Sequence, residues 1–218
     1  MAISFDKRPG VSLDKNTTSE GVGVKLDKKS SGLITAELRW RSGVGKNRSD
    51  LDLFGWVVGT GTKGRKGGLK GLLGGKSPDM AEVIYHKNLG SLGKAPHVEH
   101  SGDSRKPGVE TIKVGGLDEV RYVMFGVYQA FGNGVGSLKS FNAHVIVTDT
   151  EGNQTRVNLT EDHPNRYWAT IALVDLTPQQ GYVVKPIEQY SRPGTERSPV
   201  LHADGNITMD QGPTYMFK

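Results

Sequence analysis

An all-β fold, a β-sandwich of two antiparallel sheets with long glycine-rich loops and a C-terminal arm, follows from three observations. The 218 residues include 30 glycines and 10 prolines, which disfavour helix interiors by about 1 and 3 kcal/mol each. Short runs rich in Val, Ile, Phe, Tyr and Trp recur with the period-two alternation of half-buried strands. Polar turn clusters separate these runs, the clearest being Asp149-Thr-Glu-Gly-Asn153.

Taken in order, the chain opens with Ile3-Ser-Phe-Asp-Lys7, Val11-Ser-Leu-Asp-Lys15 and Val24-Lys-Leu-Asp-Lys28, one phrase at unequal offsets. Unequal offsets exclude a solenoid, so these read as short or edge strands whose Asp-Lys ends discourage edge-to-edge pairing. Gly32 to Trp40 alternates, Leu51 to Val58 is apolar and aromatic, and Val120 to Tyr128 is a run of Val, Met, Phe and Tyr around Gly126. Ala143 to Thr148 and Thr155 to Leu159 flank the polar turn and form a hairpin. Tyr167 to Val174 and Tyr182 to Ile187 make the last pair. Alternation gives each strand one buried face, and two such faces packed together bury both. The expected organisation is a sandwich domain over residues 1–190, with a basic insertion at 59–79, followed by an extended arm over 191–218.

A chain of this length buries roughly 70% of its unfolded surface as one domain. Its hydrophobic content of 35% and mean hydropathy of −0.45 imply a modest core and long loops. Cysteine is absent, which excludes disulfides and thiolate metal sites. The sequence shows neither a leader nor a stretch able to span a bilayer, so a cytoplasmic location is expected, and the five Asn-X-Ser/Thr triplets read as turn and strand vocabulary.

The chemistry concentrates in separated islands. Alternate residues of a strand face one side, so Asp50 and Asp52 point their carboxylates together while Leu51 and Leu53 point away. Two like charges at that distance call for a cation or water between them. Asp103, held in a turn by Gly102, is the natural next ligand, and Glu110 begins the following strand. A hard cation such as calcium takes about 6–8 oxygens, so backbone carbonyls and Asn88 are candidates for the remainder.

Asp50-Leu51-Asp52, Val83 to Asn88, Val98-Glu-His-Ser-Gly-Asp103, and Asn142 to Val147 running into Leu159-Thr-Glu-Asp162 together resemble the TerD domain of tellurium-resistance and stress-response proteins. The opening Val11-Ser-Leu-Asp-Lys15 resembles that family's start. The resemblance covers roughly residues 1–190 with interruptions and implies a calcium-binding β-sandwich without known enzymatic chemistry. The family's acidic, glycine-rich continuation after His-Ser-Gly-Asp is replaced here by Ser104-Arg-Lys-Pro-Gly-Val-Glu110. The expected metal set shrinks to Asp50, Asp52, Asp103 and Glu110, one weakened calcium site or none, with Arg105 or Lys106 able to supply charge internally.

Residues 59–79 carry Lys63, Arg65, Lys66, Lys70 and Lys76 among glycines. The literal Gly-X-Gly-X-X-Gly at Gly59, Gly61 and Gly64 is a poor dinucleotide fingerprint, because the glycines that follow oppose the helix such a turn must open. With a net charge of +5 and a pI near 9.3, the stretch suits polyanion contact or packing in an assembly. The segment 191–218, ending Thr214-Tyr-Met-Phe217, suits either strand addition onto a partner or a course back over its own sandwich. Catalysis is not expected: His100, Ser101 and Asp103 share one turn, no nucleophile elbow is present, and His86, His97 and His100 match no zinc spacing. Two functions follow: a stress-response calcium binder, or a structural protein of a virion or other multi-subunit intracellular assembly with an eroded ion site.

Overall fold

The computed structural model describes residues 11–13, 32–41, 50–61, 81–104, 108–130, 136–178 and 181–215. Ile3 to Lys7, Val24 to Lys28, most of 59–79, Arg105, Lys106 and the last three residues lie outside them.

Two sheets pack face to face. The first has seven strands: β1 (Val11–Leu13), β2 (Ile34–Arg39), β5 (Gly90–Ser91), β6 (Val98–His100), β7 (Val109–Val114), β9 (His144–Thr148) and β10 (Gln154–Asn158). Their spatial order is β1-β10-β9-β2-β7-β6-β5. The second has β3 (Leu51–Gly59), β4 (Glu82–Ile84), β8 (Val120–Gln129), β11 (Trp168–Asp175) and β12 (Val183–Tyr190), in the order β12-β11-β8-β3-β4. A small hairpin of β13 (Val200–Leu201) and β14 (Ile207–Thr208) completes the described strands. The all-β sandwich expected from the sequence is what forms, with one departure: β1 joins β10 in parallel, at the edge.

Both expected hairpins form. β9 and β10 pair from His144 with Asn158 to Thr148 with Gln154. Their turn is closed by Asp149, whose Oδ1 accepts the Glu151 and Asn153 amides, each at 2.8 Å. β11 and β12 pair antiparallel with a bulge between Thr170 and Ala172.

The core between the sheets follows the alternation. Ile34, Ala36 and Leu38 of β2 and Ile112 and Val114 of β7 meet Leu51, Leu53 and Val57 of β3 and Val123, Phe125 and Val127 of β8. A Cβ on Gly55 would stand 3.1 Å from Ile112 Cδ1, so the absence of a side chain there permits the close approach of the two sheets.

One expectation needs correction. The rule of one buried face per strand fails for the five-stranded sheet, where the first eight residues of β3 are all buried. Its second face carries Phe54, Trp56, Val58, Met124, Tyr128, Trp168 and Leu173, and residues 191–215 cover it. Leu201 is fully buried against this face, with Ile207, Met209 and Tyr215 packed beside it. The Tyr215 ring lies 5.0 Å from Phe54 and 5.8 Å from Trp168, and such aromatic pairs add about 0.5–1.5 kcal/mol each beyond area burial. Of the two courses open to the C-terminal segment, the chain up to Tyr215 takes the one back over its own sandwich. Among the described residues no helix is long and apolar enough to cross a membrane.

Candidate metal centre

Asp52 belongs to the outer stripe of β3 that continues as Phe54, Trp56 and Val58, and Asp50 precedes it on the same side by the strand period. Asp52 is 1% exposed, Asp50 half-buried and Asp103 exposed. Asp103 arrives from the β6–β7 loop, 51 residues later in sequence than Asp52, and one ligand oxygen from each of the three lies within 4.8 Å of the others. Three such residues, all offering carboxylate oxygen, could hold a metal ion.

The phrase His100-Ser-Gly-Asp103 brings Asp103 there, one residue per task. β4 pairs with β3 only along Gly55 to Val57, so the backbone of Leu53 projects past the end of β4. Side chains replace the missing strand. Glu110 Oε2 accepts the Leu53 N–H at 2.7 Å, and His100 Nε2 lies 3.1 Å from the Leu53 carbonyl as donor. His100 Nδ1 accepts the Gly102 N–H at 2.9 Å, which fixes the tautomer. Ser101 pairs with Thr111 through its amide, at 2.9 Å, and through its hydroxyl, which accepts the Thr111 N–H at 3.0 Å. Gly102 turns the chain at φ 97°, in the left-handed region that favours glycine. Asp103 follows directly.

Glu110 therefore stands apart from the three aspartates. It is fully buried, and its second oxygen accepts the Ser104 N–H at 3.0 Å. One carboxylate thus ties the loop that carries Asp103 to the strand that carries Asp52. The sequence places Glu110 in the ligand set; the structure gives its two oxygens to backbone amides. Asn88, another candidate, donates its side-chain amide to the Val83 carbonyl at 2.7 Å and closes the turn after β4.

His86 is the residue that the sequence reading of the site missed. Its Nδ1 lies 3.2 Å from Asp52 Oδ1, its side chain is 11% exposed, and its ring stands edge-on to Phe54 and Tyr85. Only its position two residues after Ile84, where β4 ends beside β3, hinted at this. The three histidines do not converge. His97 binds the Leu92 carbonyl and faces Glu119 at 3.4 Å, while His100 is the brace described above. Glu161 and Asp162 also lie elsewhere: Asp162 accepts the Ser137 hydroxyl at 2.8 Å, and Glu161 faces Arg166 at 3.9 Å. His144 is a packed rim residue, 8% exposed.

No protein-family model matches the chain, and no curated protein matches it. Among solved structures the chain is similar to SAV2460, a protein of unknown function, at 13% identity and a TM-score of 0.49, over 77% of this chain and 92% of that one. It is also similar to SCO6318 from Streptomyces coelicolor A3(2), described as a homologue of telluride resistance protein (TerD), at 15% identity and a TM-score of 0.46, over 73% of this chain and 92% of that one.

Proposed function

We propose that this chain is a non-enzymatic calcium-binding protein of the TerD, tellurium-resistance and stress-response type, with Asp50, Asp52 and Asp103 as its carboxylate ligands. The observation that carries the reading is the convergence of three aspartates from two separate segments within 4.8 Å. Carboxylates this close repel unless a cation lies between them. An all-oxygen donor set with one buried and two accessible members suits a hard divalent cation better than zinc or copper, which favour nitrogen and sulfur. Backbone carbonyls and water complete the shell.

The ion's role is structural. It joins the end of β3 to the β6–β7 loop, the same two segments that Glu110 already ties, so binding orders the rim without a reacting group. The protein acts in the cytoplasm by binding rather than catalysis. The assembly alternative drew part of its support from a free apolar arm, and the described part of that arm is engaged with its own sheet.

Terbium, a luminescent substitute for calcium, tests the site. Tyr85 adjoins His86, so excitation of aromatic rings is expected to sensitise bound terbium, and calcium is expected to quench the emission by competition. Sensitised emission that persists unchanged in Asp52→Asn and Asp103→Asn overturns the assignment.

A further inference from the structure

The strand register gathers a second group of charged side chains on the face of the seven-stranded sheet that points away from the core. Along β2, Ile34, Ala36 and Leu38 are buried, so Thr35, Glu37 and Arg39 face outward. Along β10, Thr155 and Val157 are buried, which turns Arg156 and Asn158 outward. His144, at the start of β9, lies directly opposite Arg39 on one side and Asn158 on the other. Arg156 is opposite Ile146, one outward position along β9 from His144. Since β2 and β10 flank β9, the two arginines stand on opposite sides of His144, Arg39 directly across with backbones roughly 5 Å apart and Arg156 on the diagonal at roughly 7–8 Å. Arg41 follows two residues after Arg39, its amide bonded to the Phe141 carbonyl at 2.8 Å.

The group is ordered and remains basic. Arg39 donates Nε and Nη2 to Glu37 Oε2, at 3.1 and 2.6 Å. Arg156 donates Nε to Asn158 Oδ1 at 2.8 Å. Glu37 pairs with Arg39, and Arg156, Arg39 and Arg41 all act on His144 as positive charges. The His144 ring binds the Asn142 carbonyl through Nδ1 at 2.9 Å. Burial first, and then Arg156, Arg39 and Arg41, hold its pKa below the usual 6.5. The corresponding face of the other sheet is covered by residues 191–215, whereas Arg39 keeps about half of its side-chain surface, 49%, in solvent.

We propose that this patch is a phosphate-binding site, in which Arg39 and Arg156 grip a phosphate group from either side of His144 and Arg41 adds charge at its rim. Arginine is the residue suited to this, because its planar fork meets phosphate oxygens in pairs where lysine offers a point charge. The phosphate is carried either by a small phosphorylated ligand or by a nucleic-acid strand; both present the same group. The site shares no residue with the aspartate cluster.

Calorimetric titration with inorganic phosphate, and separately with a short oligothymidylate at the same ionic strength, tests the proposal on the full chain. Arg39→Gln and Arg156→Gln are each expected to weaken binding roughly tenfold, the usual consequence of losing one charge-assisted contact. Lys113→Gln, further along the same face, serves as the control and is expected to change affinity much less. Thermal unfolding of each variant verifies that it folds. Phosphate binding is also expected to raise the His144 pKa, followed through its ring proton resonance, because the bound anion offsets the three cations. Binding of phosphate with these losses supports a small phosphorylated ligand, and binding of the oligonucleotide alone with the same losses supports a strand. Failure of both probes to bind, or affinities unchanged in Arg39→Gln and Arg156→Gln, overturns the proposal.

Discussion

Asp52→Asn removes one of three clustered carboxylates at nearly constant shape, and its effect on stability should change sign with calcium. With ligand oxygens within 4.8 Å and an effective dielectric near 20, each carboxylate pair repels by about 3 kcal/mol. Much of this is screened, because Asp103 is exposed and Asp50 half-buried. What remains leaves the variant about 1 kcal/mol more stable than wild type in a chelator. Calcium at a hundredfold excess over its dissociation constant stabilises wild type by about 2.7 kcal/mol and leaves the variant unchanged. The order of stabilities therefore inverts, with wild type ahead by about 2 kcal/mol in calcium. Urea unfolding followed by tryptophan fluorescence, with chelator and with calcium, measures both differences, since Trp168 is fully buried. A variant less stable than wild type in both conditions, together with a wild type indifferent to calcium, refutes the reasoning.

Glu110→Gln places an amide N–H₂ where an oxygen now accepts a backbone N–H, so one buried donor loses its partner; unfolding should show a loss of about 2 kcal/mol, and calcium should bind more weakly because Asp103 is no longer braced. Leu201→Ala removes a fully buried side chain from the covered face, with an expected loss of about 2–5 kcal/mol in the same assay. Burial pushes the Tyr215 phenol up to about 12, from a usual 10; the unfolded chain deprotonates first, so stability should fall as pH rises from 10 towards 12, and Tyr215→Phe should remove that part of the fall. The pKa of His144 is lowered by burial and by Arg156, Arg39 and Arg41. The unfolded chain therefore takes up the proton first on acidification, so this contribution is complete above pH 6.5 and is lost below it; His144→Gln should flatten the slope of stability between pH 7.5 and 5.5.

The sequence revealed the fold where local chemistry decided it. Alternation located β2, the apolar runs located β3 and β8, and the turn residues of Asp149 to Asn153 located the β9–β10 hairpin, because side-chain pattern and turn geometry are properties of a few adjacent residues. The covered outer face was hidden, since the continuous apolar run of β3 does not by itself say what lies on its second side. The packing of Leu201 and Tyr215 against Phe54 and Trp168 is a long-range fact. The same division holds at the site. Asp50 and Asp52 were legible together because a strand puts alternate residues on one side, and Asp103 because Gly102 marks the turn. Glu110 read as a ligand because it is acidic and close in sequence to Asp103. Its actual place depends on β4 stopping short and leaving the Leu53 backbone to side chains. His86 and the cations around His144 depend on which strands become neighbours, and apart from the position of His86 just after β4 their own segments do not encode that.

Calorimetric titration of the metal-stripped protein with calcium tests the central claim most directly. One site of micromolar affinity, abolished by Asp52→Asn and by Asp103→Asn, is the expected result. Absence of heat at millimolar calcium, or binding that both variants retain, contradicts it.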